Sequence, residues 1–177
     1  MMFASLTLRA LVTYFGPGVA MEMKQYLIDT FTFNDHANKQ VLARMREMPD
    51  KAQSVKLFSH LINSQKKWLA RINQFPKDPG MDWWEPAYPL QDLEREWDAS
   101  LAAWLDFVSS KSEQELFAEV KWVGFDGRHW TALLKDIALQ LNYHSIHHRA
   151  QIQTLIRAQG FEPDFVDYIG TVYRRIE

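Results

Sequence analysis

Cysteine is absent from the 177-residue chain, which excludes disulfides, thiolate metal sites, iron–sulfur clusters and a cysteine nucleophile. Any metal must be held by histidine and carboxylate. Glycine and proline are scarce, seven of each, so few positions interrupt regular structure. Neither sign of charge is in excess: 20 Lys and Arg face 22 Asp and Glu, for a formal net charge of −2. Such a chain has no global basic field to attract phosphate backbones, and nucleic acid is not an expected partner. An uninterrupted apolar run of about 20 residues, the length a membrane span needs, is also missing. The least charged stretch, Met1 to Ala20, is broken by Arg9 and closes on Gly16-Pro17-Gly18. Met1 to Leu8 lacks the basic region that opens a signal peptide. We expect residues 1–20 to be an N-terminal extension ahead of a start at Met21 or Met23, and residues 21–177 to form one domain. The expected location is the cytoplasm, with no membrane partner.

What is present is apolar and aromatic: 47% of residues are hydrophobic, with seven Trp and 11 Phe. Apolar residues at steps of three and four predict a first helix over Met23 to Met48 through Leu27, Phe31, Leu42 and Met45. Pro49 stops it, and Asp50 is placed to cap a second helix over Lys51 to Asn73. The segment from Phe75 to Pro89 is too rich in proline for a helix. Leu93, Trp97, Leu101, Trp104 and Val108 then form a seam on a third helix, Leu90 to Ser109. A turn at Gly124 to Gly127 precedes a fourth helix from about Trp130 to Gln159, closed by Gly160. The pattern predicts an all-α four-helix bundle with a short tail, Phe165 to Glu177, whose apolar residues should lie against it.

The apolar line of the last helix runs Leu134, Ile137, Leu141, then His144, His148, then Ile152 and Leu155. Buried imidazoles need partners for both ring nitrogens, and charging one beside the other adds repulsion. A shared metal ion resolves both problems, because side chains at i and i+4 lie about 6 Å apart at Cβ and can converge on one ion. A third ligand must come from another helix. His60 is the best candidate, on the face of the second helix that carries Leu57, Ser64 and Trp68. Three neutral imidazoles would leave a coordination position open, as catalytic sites do. His36, His129 and His147 are read as surface or supporting residues. A ferritin-like site is excluded, since no His has a Glu three residues before it. No phosphate loop, Gly-x-Ser-x-Gly elbow or His-Glu-x-x-His motif is present.

Asp126-Gly127-Arg128, followed by Asn142-Tyr143-His144-Ser145-Ile146-His147-His148-Arg149-Ala150-Gln151, resembles the DinB/YfiT-like superfamily, whose signature is His-x-x-x-His followed by Arg-Gly-Gln. Asp35-His36-Ala37-Asn38 and His60 are similar to that family as well. Ala150 departs from it where Gly is usual, and Gln140 stands where many members carry a further His. The resemblance implies an up-down-down-up bundle, often a homodimer, with a divalent ion, nickel or zinc foremost, held by His60, His144 and His148. It implies a small-molecule substrate and either transfer involving a low-molecular-weight thiol or hydrolysis. The alternative is a non-catalytic metal-binding or stress-associated bundle. Arg149, Gln151, Asp167 and Tyr168 are candidates for orienting or acid–base roles.

Overall fold

Where apolar residues recur at helical spacing, helices form: α1 (Met23–Glu47), α2 (Ala52–Ile72) and α3 (Leu93–Ser110), the last entered through a 3-10 turn at Leu90–Asp92. A one-turn helix α4 (Glu113–Leu116) and the strands β1 (Glu119–Val123) and β2 (His129–Leu133) lead into α5 (Leu134–Ala158). A short α6 (Ile169–Val172) follows. The computed structural model describes residues 22–73, 80–124 and 126–176; the expected extension at 1–20 lies outside the described residues.

The helix ends are fixed by side chains that a local pattern reveals only in part. Asp50, expected to cap α2, lies one residue before its N-cap Lys51 and still serves the first turn, its Oδ1 accepting from Ala52 N at 3.1 Å. Gly160 closes α5 at φ 85°, with Phe161 N bonded to Ile156 O at 3.2 Å and Gly160 N to Arg157 O at 3.0 Å. That pair of bonds is a Schellman motif, which only a residue tolerant of positive φ can complete cheaply. Helix α1 has no side-chain cap of its own. Glu113 of α4 supplies one from a distance, its carboxylate accepting from Met23 N and Lys24 N at 3.2 and 2.9 Å, where a negative charge also favours the helix dipole.

The four long helices pack around two buried clusters. One joins Val41, Leu42 and Met45 of α1 to Leu57, Phe58 and Leu61 of α2, Leu93 and Trp97 of α3, and Ile152 and Ile156 of α5. The other joins Leu27 and Phe31 of α1 to Leu101 and Trp104 of α3 and to Ile137 and Leu141 of α5, with Trp68 and Leu69 of α2 packed against it. The predicted α3 seam therefore faces the predicted α5 line across the core. Trp97 and Trp104 are fully buried, and each indole N–H has a partner: Asp35 Oδ1 and Gln65 O respectively, both at 2.9 Å.

Three expectations need correction. The last helix begins at Leu134, not Trp130: residues 129–133 are β2, paired antiparallel with β1 in the register Trp122 opposite Trp130. Trp130-Thr131-Ala132-Leu133 continues an apolar pattern that fits either state, and the tight turn with Gly127 at φ 73° lets the chain reverse into a ribbon. The ribbon also gives Trp122 a place against Trp68, ring centroids 5.0 Å apart. Second, the tail does not lie against the bundle: Phe165, Ile169, Val172, Tyr173 and Ile176 are exposed, although Tyr168 meets Phe33 edge-on at 5.2 Å. Third, the buried face of α5 includes Asn142, Ser145 and Arg149, and His144 sits at its margin, half-buried.

Those polar residues form a tie between α1 and α5. Arg149 Nη1 donates to Asn34 Oδ1 at 2.8 Å and Asn38 Oδ1 at 3.0 Å, Asn34 donates to Asn142 at 2.8 Å and Asn38 to Ser145 at 2.8 Å. The guanidinium lies over the Phe33 ring at 5.4 Å. Burial pulls Arg149 down to about 10, with the charge of Asp167 opposing the shift.

Candidate metal centre

His144 and His148 stand one turn apart on α5, and the packing of α2 against α5 brings His60 to meet them. His60 Nε2 lies 3.1 Å from His144 Nε2, and His148 Nε2 lies 2.9 Å from the same atom. All three ligand atoms fall within 4.8 Å of one another. The imidazole planes are steeply crossed, at 76°, 88° and 88°, so three edges converge on one point.

The remaining ring nitrogens explain the convergence. His60 Nδ1 is 2.7 Å from the Trp83 carbonyl oxygen, which can only accept, so Nδ1 carries the proton and Nε2 keeps its lone pair. His148 Nδ1 is likewise 2.7 Å from Gln151 Oε1. Two lone pairs therefore face His144 Nε2, which can hold at most one hydrogen and aim it at one of them. A cation at the meeting point satisfies all three nitrogens, and the Nδ1 contacts are of the kind that orient metal-binding histidines. Two ligands on a tetrahedral ion with bonds of about 2.0–2.1 Å would be about 3.3 Å apart. The two spacings to His144 are a few tenths of an ångström tighter, and the third pair lies within 4.8 Å, within reach of small side-chain adjustments.

The electrostatics favour the same state. Burial, then the neighbouring His148, His60 and His147, push His144 down to about 4. His60 is lowered chiefly by burial, against the opposing pull of the Trp83 carbonyl. His148 is lowered chiefly by burial, against that of Gln151. At neutral pH the three are uncharged, as metal ligands must be.

The segment from Met81 to Pro89, read from sequence only as a proline-rich loop, covers the centre. Trp84 stacks on His60 at 3.9 Å with planes 11° apart, and Asp82 Oδ1 fixes the turn by accepting from Trp84 N and Glu85 N at 2.6 and 3.0 Å. Asn63 donates to Pro86 O at 3.1 Å, and Tyr88 N to Ser59 Oγ at 2.9 Å. Lys67 donates to Met81 O. The concentration of tryptophans in this segment was the one signal in the sequence that pointed to it.

Of the other candidates, Gln151 is brought to the site through His148, and it also contacts His147 Nε2 at 3.2 Å. His147 is exposed and supports that contact. His36 is exposed and pairs with Gln40 at 3.2 Å, and His129 lies exposed on β2. Arg149 belongs to the α1–α5 tie, and Asp167 and Tyr168 line neither of the clefts beside the histidines.

Two clefts flank the centre. A larger one of about 560 Å³ is bounded by Gln53, Leu57, Trp84, His148 and Thr154. A smaller one of about 240 Å³ is bounded by His60, Ser64, Trp68, Trp83, Gln140 and His144. Among the described residues neither is lined by a carboxylate, lysine or arginine.

A helical bundle carrying three converging imidazoles on two helices defines a class of helical-bundle proteins with a candidate histidine metal site. The chain belongs to the DinB family, whose match spans residues 23–176. No curated protein and no solved structure matches it. Among the described residues no helix is long and apolar enough to cross a membrane.

Proposed function

We propose that the protein is a metal-dependent enzyme acting on a small molecule, in which His60, His144 and His148 hold one divalent ion, nickel or zinc. The observation that carries this reading is the pair of lone pairs, on His60 and His148, aimed at a third imidazole nitrogen that cannot satisfy both. When bound, the ion would supply Lewis acidity that draws a thiol or a water toward its ionised, nucleophilic form.

The chain's own residues do the positioning. Trp83 and Gln151 hold two of the imidazoles in the neutral tautomer that presents Nε2. Trp84 restricts the approach of water over His60. The clefts offer no carboxylate among the described residues to take a proton from water. That favours transfer from a low-molecular-weight thiol over hydrolysis, because a thiol near pKa 8.5 ionises far more readily than water near 15.7.

The test is a cobalt-substituted sample titrated with dithiothreitol. The expected result is about one ion per chain and a new thiolate band in the metal's spectrum, both lost in His60→Ala. Metal bound with no response to thiol would leave hydrolysis or a non-catalytic metal-binding bundle as the better description. Full stoichiometry in His60→Ala would refute the three-histidine site.

The same proposal includes the finer architecture and setting. An up-down-down-up order is supported by the shared clusters, in which the start of α1 lies with the start of α5 and with the ends of α2 and α3. A homodimer is supported by exposed Tyr143 and Ile146 on α5, and light scattering giving the mass of a single chain would exclude it. Residues 21–177 as one domain and a cytoplasmic location complete it.

A further inference from the structure

Three buried side-chain atoms among the described residues have no hydrogen-bond partner: Gln40 Oε1, Ser64 Oγ and Gln65 Oε1. Of these residues only Ser64 lines a cleft at the metal centre. It sits one turn beyond His60 on α2 and is 2% exposed. A buried hydroxyl left unpaired costs about 1–3 kcal/mol, and helical Ser and Thr usually avoid that by bonding the carbonyl one turn back. Thr154, beside the larger cleft, does so, donating to Ala150 O at 3.0 Å. Ser64 does not.

The rest of the smaller cleft is equally specific. Trp68 and Trp83 form two of its walls, ring centroids 6.2 Å apart and tilted at 58°. Both indoles are held from outside: Arg71 lies over each, at 5.2 and 4.9 Å, Lys67 lies over Trp83 at 4.5 Å, and Trp122 of β1 packs edge-on against Trp68. Rigid π surfaces take flat groups. Gln140 adds a neutral amide able to donate and accept. At about 240 Å³ the space is below the usual range of roughly 300–1,000 Å³ for drug-sized ligands.

We propose that this smaller cleft binds an uncharged, planar carbonyl compound, and that the Ser64 hydroxyl donates the hydrogen bond that orients its carbonyl oxygen beside His60 and His144. As the acceptor side of a two-substrate reaction, with the larger cleft for the thiol, the assignment rests on the metal-dependent reading. As a binding site it stands without it.

The experiment titrates benzamide into the full chain, following the indole N–H resonances by heteronuclear NMR, with and without one equivalent of zinc. The expected result is that Trp68 and Trp83 shift while Trp84 moves less, in both samples. Ser64→Ala should weaken binding about tenfold, the size of one net hydrogen bond, without lowering the melting temperature. Absent shifts at Trp68 and Trp83, equal affinity in Ser64→Ala, or a lowered melting temperature in that variant would each overturn the proposal. Failure to bind zinc would sink the metal reading alone, since the benzamide shifts are expected without it.

Discussion

The indole of Trp84 lies flat on the imidazole of His60, centroids 3.9 Å apart and planes 11° from parallel. The contact joins the loop before α3 to the middle of α2, and with the Trp83 carbonyl at Nδ1 it leaves His60 one orientation. Removing contacts that orient a ligand typically costs 10–100-fold in metal affinity. Trp84→Ala should therefore weaken zinc binding about tenfold in a chelator competition. Its melting temperature should change little, because Trp84 is itself 39% exposed. Unchanged affinity would show that the Trp83 carbonyl alone sets the ring.

The lowered histidines link the site to pH with a definite sign. An unfolded imidazole takes its proton near 6.5, whereas His144 in the fold resists protonation until about 4. Between those values the unfolded chain binds more protons, so stability falls as pH drops from about 6.5 toward 4. Metal binding should accordingly persist below 6.5 and fade only as the lowered imidazoles protonate. Denaturant melts of the metal-free protein at pH 7 and pH 5 should differ less in His144→Ala than in the unmodified chain. An identical difference in the two would show that His144 is not the responsible group.

Trp104 ties the bundle together, fully buried, stacked on Phe31 at 5.7 Å and donating to Gln65 O. Replacing it with Ala opens a large cavity and strands a carbonyl, at a cost on the order of 3–5 kcal/mol. Urea denaturation would measure it, and a loss within about 0.5 kcal/mol, as for surface changes, would contradict the packing.

Arg149 lies next to His148 in sequence yet serves the α1–α5 tie. Arg149→Leu leaves Asn34 Oδ1 and Asn38 Oδ1 without their donor, and stability should fall by about 2–3 kcal/mol. Zinc stoichiometry should remain at about one per chain. Loss of zinc from a variant that is still folded would place Arg149 in the metal site instead.

The long helices and the histidine pair were legible from the chain itself, because both depend on the i to i+4 repeat of an α-helix. Leu93, Trp97, Leu101 and Trp104 share a face whatever surrounds them, and so do His144 and His148. Even the choice of His60 followed from its place on a helical face beside Ser64 and Trp68. Tertiary structure decided what depends on residues far apart. The β1–β2 ribbon was hidden because Trp130 to Leu133 suits a helix until pairing with Glu119 to Val123 outweighs that preference. The Arg149 tie was hidden because its acceptors, Asn34 and Asn38, are on another helix. The tail kept its apolar residues outward, since composition shows what burial would favour but not whether a surface is left to receive it. At the centre, sequence spacing brought two imidazoles to one side of α5. Only the packing of α2 and the return of Trp83 and Trp84 over His60 set the tautomer, the closeness of the three nitrogens and the clefts on either side. Local repeats determine faces through short covalent paths, while a site's chemistry depends on distances that only the folded chain sets.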